Sequence, residues 1–227
     1  MKKKLVVLSG AGISAESGIS TFRGADGLWE NHSIYEVASP EGWRANRELV
    51  LRFYNQRRAQ LEEVEPNEGH RILQRLEADF DVQIITQNVD DLHERAGSTK
   101  VLHLHGELTK ACSTIDKNLI YDIGTEPISL GDRCDKGSQL RPHIVWFGED
   151  VPLIEVAAEM VEEADIFVVV GTSMQVYPAA GLIDYVPRIS PIYVIDPEPP
   201  TLAKRSNMQF IQAGGSEGLA RLQELIR

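Results

Sequence analysis

Three groupings of residues in this chain have types and spacings that could do chemistry. The first is Gly10-Ala11-Gly12-Ile13-Ser14-Ala15, a G-x-G-x-x-A run. In such a run the first glycine permits a tight turn and the second lets backbone approach a pyrophosphate. The small sixth residue lets strand and helix pack closely, and free amides at the helix start face the anion. The acidic residue expected ~20 positions on, at the end of a second strand, is missing; Asp26 lies in a glycine-rich loop instead. A dinucleotide or phosphate user other than an ordinary hydride-transfer dehydrogenase is therefore expected. The second grouping is Asn88 and Asp90 in Thr86-Gln87-Asn88-Val89-Asp90. It follows an apolar run, at the carboxyl end of a strand, where open α/β sheets bind ligands. The third is Tyr54 and Arg57, three residues apart in a helical stretch and hence on one helix face. A phenol and a guanidinium facing one pocket recognise a carboxylate, the arginine by charge and a bidentate fork, the tyrosine by a hydrogen bond. The plainer reading is one core aromatic beside one solvated arginine, since Arg52 and Arg58 make arginine common here.

Short β-rich runs must position these groups. Residues 5–8, 82–85, 101–104, 166–170 and 192–195 are apolar and each ends in a polar or glycine-containing turn. They are continuous rather than alternating, as in strands buried on both faces of a parallel sheet. Helical patterns occupy 47–63, 68–78, 153–164 and 218–226. The expected fold is α/β, a Rossmann-like doubly wound parallel sheet. Residues 25–67 and 108–141 fit no simple crossover, and 108–141 is polar, turn-rich and carries both cysteines. They are read as two insertions forming a smaller module against the sheet, with residues 1–24, 68–107 and 142–227 forming the larger domain.

Composition narrows the class. The chain has 227 residues, 42% hydrophobic and 25% charged, enough for a buried core and unlike a disordered or fibrous chain. A net charge of −11 repels phosphate backbones, so no nucleic-acid partner is expected and lysine-rich peptides are favoured. Two cysteines, Cys112 and Cys134, are too few for a secreted disulfide framework. Lys2, Lys3 and Lys4 precede only four apolar residues, short of the roughly 7–15 of a signal peptide, and no run nears the ~20 of a membrane span. A soluble, cytoplasmic monomer without a membrane partner is expected.

Five motifs then carry a family resemblance. Gly10-Ala11-Gly12-Ile13-Ser14 with Glu16-Ser17-Gly18-Ile19 and Thr21-Phe22-Arg23-Gly24 resembles the opening motif of the sirtuins, NAD-dependent protein deacylases. Thr86-Gln87-Asn88-Val89-Asp90 with His93 and Ala96-Gly97 resembles the second, and His103-Leu104-His105-Gly106-Glu107-Leu108 the third. Arg141-Pro142-His143-Ile144-Val145-Trp146-Phe147-Gly148-Glu149 resembles the fourth, and Gly171-Thr172-Ser173 with Val176 and Pro178-Ala179 the fifth. Their order and spacing cover nearly the whole chain.

The resemblance implies a mechanism. An acyl-lysine amide oxygen displaces nicotinamide from C1′ of the NAD ribose, and a base frees a ribose hydroxyl to attack the resulting imidate. Water then releases lysine and an acyl ester of ADP-ribose. The base must titrate near neutrality, which suits histidine, and His105 matches the family's catalytic position. His32, His70, His93 and His143 are read as structural. By resemblance Asn88 orders water and ribose, Asp90 faces the nicotinamide carboxamide and Gln87 holds ribose hydroxyls. Arg23 pairs with the diphosphate and Phe22 covers C1′. Gly10, Ala11, Gly12, Ile13, Ala15, Trp29, Val89, Gly171, Thr172 and Ser173 complete the NAD set, with Asp196, where asparagine is usual, and Gly215 on the adenosine side. Val145, Phe147 and Gly148 are the expected peptide contacts.

Tyr54 and Arg57 resemble the acyl-carboxylate reader of class III sirtuins, which remove succinyl and malonyl as well as acetyl groups. Ala38 resembles the small residue that widens their acyl pocket. The family's small module usually holds zinc with two Cys-x-x-Cys pairs. Here Ile115 and Gly137 stand where the second cysteines would be, so zinc is expected to be absent or weak, although Asp116 or Asp135 could assist the two thiolates. Two alternatives stay open. One is an NAD glycohydrolase or mono-ADP-ribosyltransferase, and the other is a non-catalytic NAD or ADP-ribose sensor.

Overall fold

The computed structural model describes residues 2–20, 28–29, 32–199, 203 and 205–227, with backbone alone for Leu28 and Trp29. The chain runs β1 (Lys4–Ser9), α1 (Ala11–Ser14), β2 (Leu28–Trp29), β3 (His32–Ser33), α2 (Ile34–Val37), α3 (Pro40–Ala45), α4 (Arg47–Gln60) and α5 (Glu68–Leu76). It continues with β4 (Asp81–Thr86), α6 (Leu92–Arg95), β5 (Val101–His103), β6 (Gly106–Ser113), β7 (Ile120–Asp122), β8 (Leu140–Ile144) and α7 (Ile154–Glu162). The last elements are β9 (Ile166–Val170), β10 (Ile192–Asp196), β11 (Met208–Gln212) and α8 (Gly215–Ile226).

Six strands form a parallel sheet in the order β11-β10-β9-β1-β4-β5. The continuous apolar runs follow from burial on both faces. Leu5 and Val7 of β1 enter one core with Ile72, Leu73 and Leu76 of α5 and Leu219 and Leu222 of α8. Val6 and Leu8 point the other way, into a second core with Ala157 and Val161 of α7 and Leu182 and Ile183. Phe167 and Val169 of β9 join that second core, while Ile166, Val168 and Val170 join the first. Side chains alternate along a strand, so both alternating sets must be apolar.

A third core gathers the two irregular stretches. Val37, Ala38, Trp43, Val50, Leu51, Phe53 and Tyr54 pack with Leu108, Ala111, Ile128, Ile144 and Trp146. The segment read from sequence as turn-rich contains a three-stranded antiparallel sheet, β7-β6-β8. Its strands escape a search for apolar runs because polar residues alternate along them, as in Gly106-Glu107-Leu108-Thr109-Lys110. β11 escapes similarly, since Met208, Gln209 and Phe210 of this edge strand are only partly covered. The helix expected over 47–63 ends at Gln60, and the one expected over 218–226 begins at Gly215. α2 and α3 were not foreseen; Ser39 caps α3, accepting from the Gly42 N–H at 3.0 Å, with Pro40 in its first turn.

The strand expected over 101–104 stops at His103, and His105 lies in the turn beyond it. That turn needs Gly106, whose φ is +84° and where a β-carbon would sit 2.0 Å from the His143 carbonyl oxygen. The consequence is local: β8 crosses directly over the turn, and Val145 N–H donates to the His105 carbonyl at 2.9 Å.

Candidate active site

A single cleft of about 490 Å³ runs along the carboxyl ends of β1, β4, β9 and β10 and against the third core. Gly10, Ala11, Gly12 and Ala15 line it, as do Gln87, Asn88, Val89, Asp90 and His105. So do Gly171, Thr172, Ser173, Asp196 and Gly215, and at the other end Ala38, Tyr54, Arg57, Val145, Phe147 and Gly148. Ile13 is off the wall, its side chain fully buried in the first core. Phe22 and Arg23 lie outside the described residues, as does the Trp29 side chain.

The glycine-rich turn is tied to the turn after β9 by its own backbone. The amides of Gly10, Gly12 and Ile13 do not point free at an anion. Gly10 N–H donates to the Val170 carbonyl at 3.0 Å, Gly12 N–H to Gly171 at 2.8 Å and Ile13 N–H to Gly10 at 3.1 Å. α1 has only four residues. The glycines instead let two turns of the sheet touch. A β-carbon on Gly12 would lie 2.6 Å from the Gly171 α-carbon, and one on Gly171, at φ +64°, 2.3 Å from the Ile13 nitrogen. The floor of the cleft between β1 and β9 is thereby lined by backbone without side chains at Gly10, Gly12 and Gly171.

Beyond β4, a chain of polar groups fixes the reactive loop. Gln87 N–H donates to the Ser9 carbonyl, and Leu108 N–H to Val89. The Asn88 side-chain amide donates to Ser14 Oγ at 3.0 Å, and that hydroxyl donates to Asp90 Oδ2 at 3.1 Å. His70 Nδ1 accepts from the Asn67 N–H at 3.2 Å, so its proton sits on Nε2, 3.4 Å from Ser14 Oγ. Burial pushes His70 down to about 4, keeping it neutral. Burial pushes the Asp90 carboxyl up to about 6, against hydrogen bonds from Leu92 N–H and Ser14. Gln87 Nε2 donates to Thr172 Oγ1 at 3.0 Å, tying the β4 and β9 loops together. His93 is buried with Nε2 3.0 Å from Ser9 Oγ.

His105 is half-buried in the cleft. Its Nδ1 lies 3.1 Å from the Gln87 carbonyl, an acceptor only, so Nδ1 carries the proton and neutral Nε2 offers a lone pair. Burial lowers its pKa below the ordinary 6.5, opposed by the Gln87 carbonyl. A base that is neutral and half-desolvated at pH 7 is the chemistry this position can perform.

At the other end of the cleft, Tyr54 is fully buried and its oxygen accepts from the Trp146 indole N–H at 3.1 Å. That bond leaves the phenol oxygen fixed against the indole at the cleft wall. Arg57 is 5% exposed, with its guanidinium 5.7 Å from the Phe53 ring centre. Trp146 itself lies under Arg141, 3.4 Å from guanidinium carbon to ring centre. Arg141 holds Glu149 with two hydrogen bonds of 2.8 and 3.1 Å, Lys117 adds a third at 2.8 Å, and Glu149 accepts from Trp146 N–H. The segment between them is pinned on both flanks, because Phe147 N–H donates to the Ala38 carbonyl at 3.0 Å. Ser14, Arg141, Trp146 and Glu149 fell within quoted motifs, yet sequence reasoning assigned them no role. The only available signal was a charged pair eight residues apart flanking an apolar run.

This buried pair has a measurable signature. Burial alone would raise Glu149, but Arg141, Lys117 and the Trp146 amide hold it down to about 2. A carboxylate depressed in the fold stabilises above its unfolded value near 4.5 and loses that contribution as pH falls toward 2. The shift corresponds to about 3 kcal/mol. Urea denaturation from pH 6 to 2 should show this loss in the native protein and a flatter profile in Glu149→Gln, which is less stable at pH 6.

The two cysteines are buried free thiols. Cys134 Sγ lies 3.3 Å from Ser113 Oγ and 3.1 Å from Ser138 Oγ, while Cys112 Sγ faces the Pro142 carbonyl at 3.9 Å. Ile115 is exposed, and Gly137 offers no side chain. Ser113 Oγ also accepts the amides of Ile115 and Asp116, so hydroxyls organise this turn. Among the described residues no group of three or more His, Cys, Asp or Glu side chains could hold a metal ion. Two thiols with two hydroxyls do not fit a closed tetrahedral zinc site.

A parallel sheet with a cleft at its carboxyl edge, joined to a smaller antiparallel module, defines a Rossmann-like α/β class. Comparison with known proteins then gives the family. The Sir2 family model matches residues 10–178, and the chain belongs to that family. A protein of Bacteroides thetaiotaomicron named NAD-dependent protein deacylase is 54% identical over 229 residues, 99% of this chain and 98% of its own length. A solved Sir2 homologue in complex with NAD superposes with a TM-score of 0.87 at 38% identity, over 100% of this chain and 91% of that one. A mutant Sir2 homologue bound to 2′-O-acetyl ADP-ribose gives 0.88 at 39% identity, over 100% and 92%.

Proposed function

We propose that this chain is an NAD-dependent protein-lysine deacylase that removes succinyl and malonyl as well as acetyl groups, releasing nicotinamide and O-acyl-ADP-ribose. The observation that carries the reading is the single cleft, which contains the glycine-lined floor, His105 and the Tyr54–Arg57 pair. Bound NAD supplies an electrophilic ribose carbon with nicotinamide as its leaving group. His105 Nε2 takes a ribose hydroxyl proton, while its Nδ1–H stays on the Gln87 carbonyl. Asn88 and Asp90, steadied by Ser14, flank the nicotinamide-side ribose. Gln87, Gly171, Thr172, Ser173, Asp196 and Gly215 hold the rest of the dinucleotide, and Asp196 accepts from a ribose diol. Val145, Phe147 and Gly148 bind the peptide backbone beside the acyl-lysine. Arg57 forks onto the acyl carboxylate and Tyr54 donates to it. Residues 25–67 and 108–141 act as the specificity module, residues 1–24, 68–107 and 142–227 as the NAD domain.

Acylated lysine-containing proteins are the partners in this reading, and the chain works as a cytoplasmic monomer. No helix among the described residues is long and apolar enough to cross a membrane. Zinc is not part of the enzyme: protein purified without chelator should contain far less than one zinc per chain and keep its melting temperature in chelator. One zinc per chain, lost with a drop in melting temperature, would overturn this.

The function is tested by incubating the protein with NAD and a succinyl-lysine peptide and weighing the products. Acyl-ADP-ribose with free lysine supports the reading. Plain ADP-ribose with intact peptide would mean a glycohydrolase, ADP-ribosylated peptide a transferase, and no product a sensor.

A further inference from the structure

Two histidines flank Leu104, and the mechanism uses only one. His103, the last residue of β5, is buried, with its side chain 7% exposed. Its Nδ1 lies 3.1 Å from the Asn88 carbonyl and its Nε2 2.8 Å from the Glu94 carboxylate of α6. Neither partner has a proton to give, so both ring nitrogens must donate, and only the imidazolium can do that. His105 meanwhile donates to the carbonyl of the neighbouring residue, Gln87. The two rings thus hold consecutive carbonyls of the loop that carries Gln87, Asn88 and Asp90.

We propose that His103 and Glu94 form a positioning pair for the NAD site, in which an imidazolium anchored by the Glu94 carboxylate holds the Asn88 backbone. The inference rests on the reading of the cleft as an NAD site. The charged state is consistent with the surroundings on every side. Burial opposes it, but Glu94 from α6, Glu107 from β6 and the Asn88 carbonyl together raise His103 above 6.5. Lys110 pairs with Glu107 at 2.7 Å, and buried His93 is held neutral, in part by the His103 charge. In return the His103 charge favours ionised Asp90, which burial would otherwise protonate more readily. The pair therefore divides labour between adjacent histidines. One keeps its proton to hold the loop, and the other gives up its charge to act as base.

Glu94 is 41% exposed on its side chain, so Glu94→Gln removes the charge with little risk to folding. Without the carboxylate, burial draws His103 down, so its charge is lost at lower pH than in the native protein. NAD affinity by titration calorimetry, from pH 5.5 to 8.5, should match the native protein within about twofold at pH 5.5. It should weaken about fivefold to tenfold by pH 8, the loss of one charge-assisted contact. KM for NAD should follow the same course, with KM for the acyl-peptide unchanged. His103→Phe should show the weaker NAD binding at every pH. A gap that does not vary with pH, equal rises in both KM values, or no gap at all would overturn the pairing. Calorimetry separates the two readings: a native protein that binds NAD but turns over no acyl-peptide fails the proposed function while the His103 comparison still decides this one. A native protein that binds no NAD overturns both.

Discussion

His105→Ala lowers kcat for deacylation by about 10²- to 10⁴-fold, the usual worth of a positioned general base, while NAD binding and melting temperature stay near native. The loop keeps its other ties without this ring, since Gln87 N–H still reaches Ser9 and Leu108 N–H still reaches Val89. Single-turnover chemistry against NAD affinity separates the two effects, and equal losses in both would remove His105 from its role as base. The pH profile has a defined sign. The base must be neutral, and burial lowers its pKa, so the rate falls only when pH drops below the ordinary histidine value of about 6.5. Asp90, raised to about 6, protonates over the same range. The acid limb of kcat/KM is therefore a joint property of the two groups.

On the proposed acyl preference, Arg57→Met should abolish most desuccinylation, a loss of about 100-fold or more in kcat/KM, and leave deacetylation within about threefold. A buried acyl carboxylate stripped of its fork is an unpaired charge, which typically costs about 2–5 kcal/mol. An acetyl group has no such charge, and methionine roughly matches the length of the arginine stem. Tyr54→Phe should act in the same direction but more weakly, because one neutral hydrogen bond is lost. Parallel assays on succinyl-, malonyl- and acetyl-lysine peptides make the comparison, and equal losses on all three would assign Arg57 to packing.

The parallel sheet was legible because its inner strands are apolar on both faces: Leu5, Val6, Val7 and Leu8 leave no other element to form. The ligand edge was legible for a related reason, since each apolar run stops at a polar or glycine turn. The small sheet was not, because Thr109, Lys110 and Glu107 interrupt β6 and its partners come from distant segments. The glycine turn was correctly placed, but its close contact with Gly171, some 160 residues away, was invisible to local spacing. The same distance hid Ser14, whose partners Asn88 and Asp90 lie on another strand's loop. Sequence reports what a residue could bond to; only folding brings the second partner.

Tyr54 belongs to the core built by the insertions, and the β4 loop leans on that same core through Val89, whose carbonyl accepts from Leu108 N–H. Altered residues that share neighbours need not combine additively. An engineer who edits α4 to change which modification is erased should therefore expect the dinucleotide's grip to shift as well, and should select for both at once.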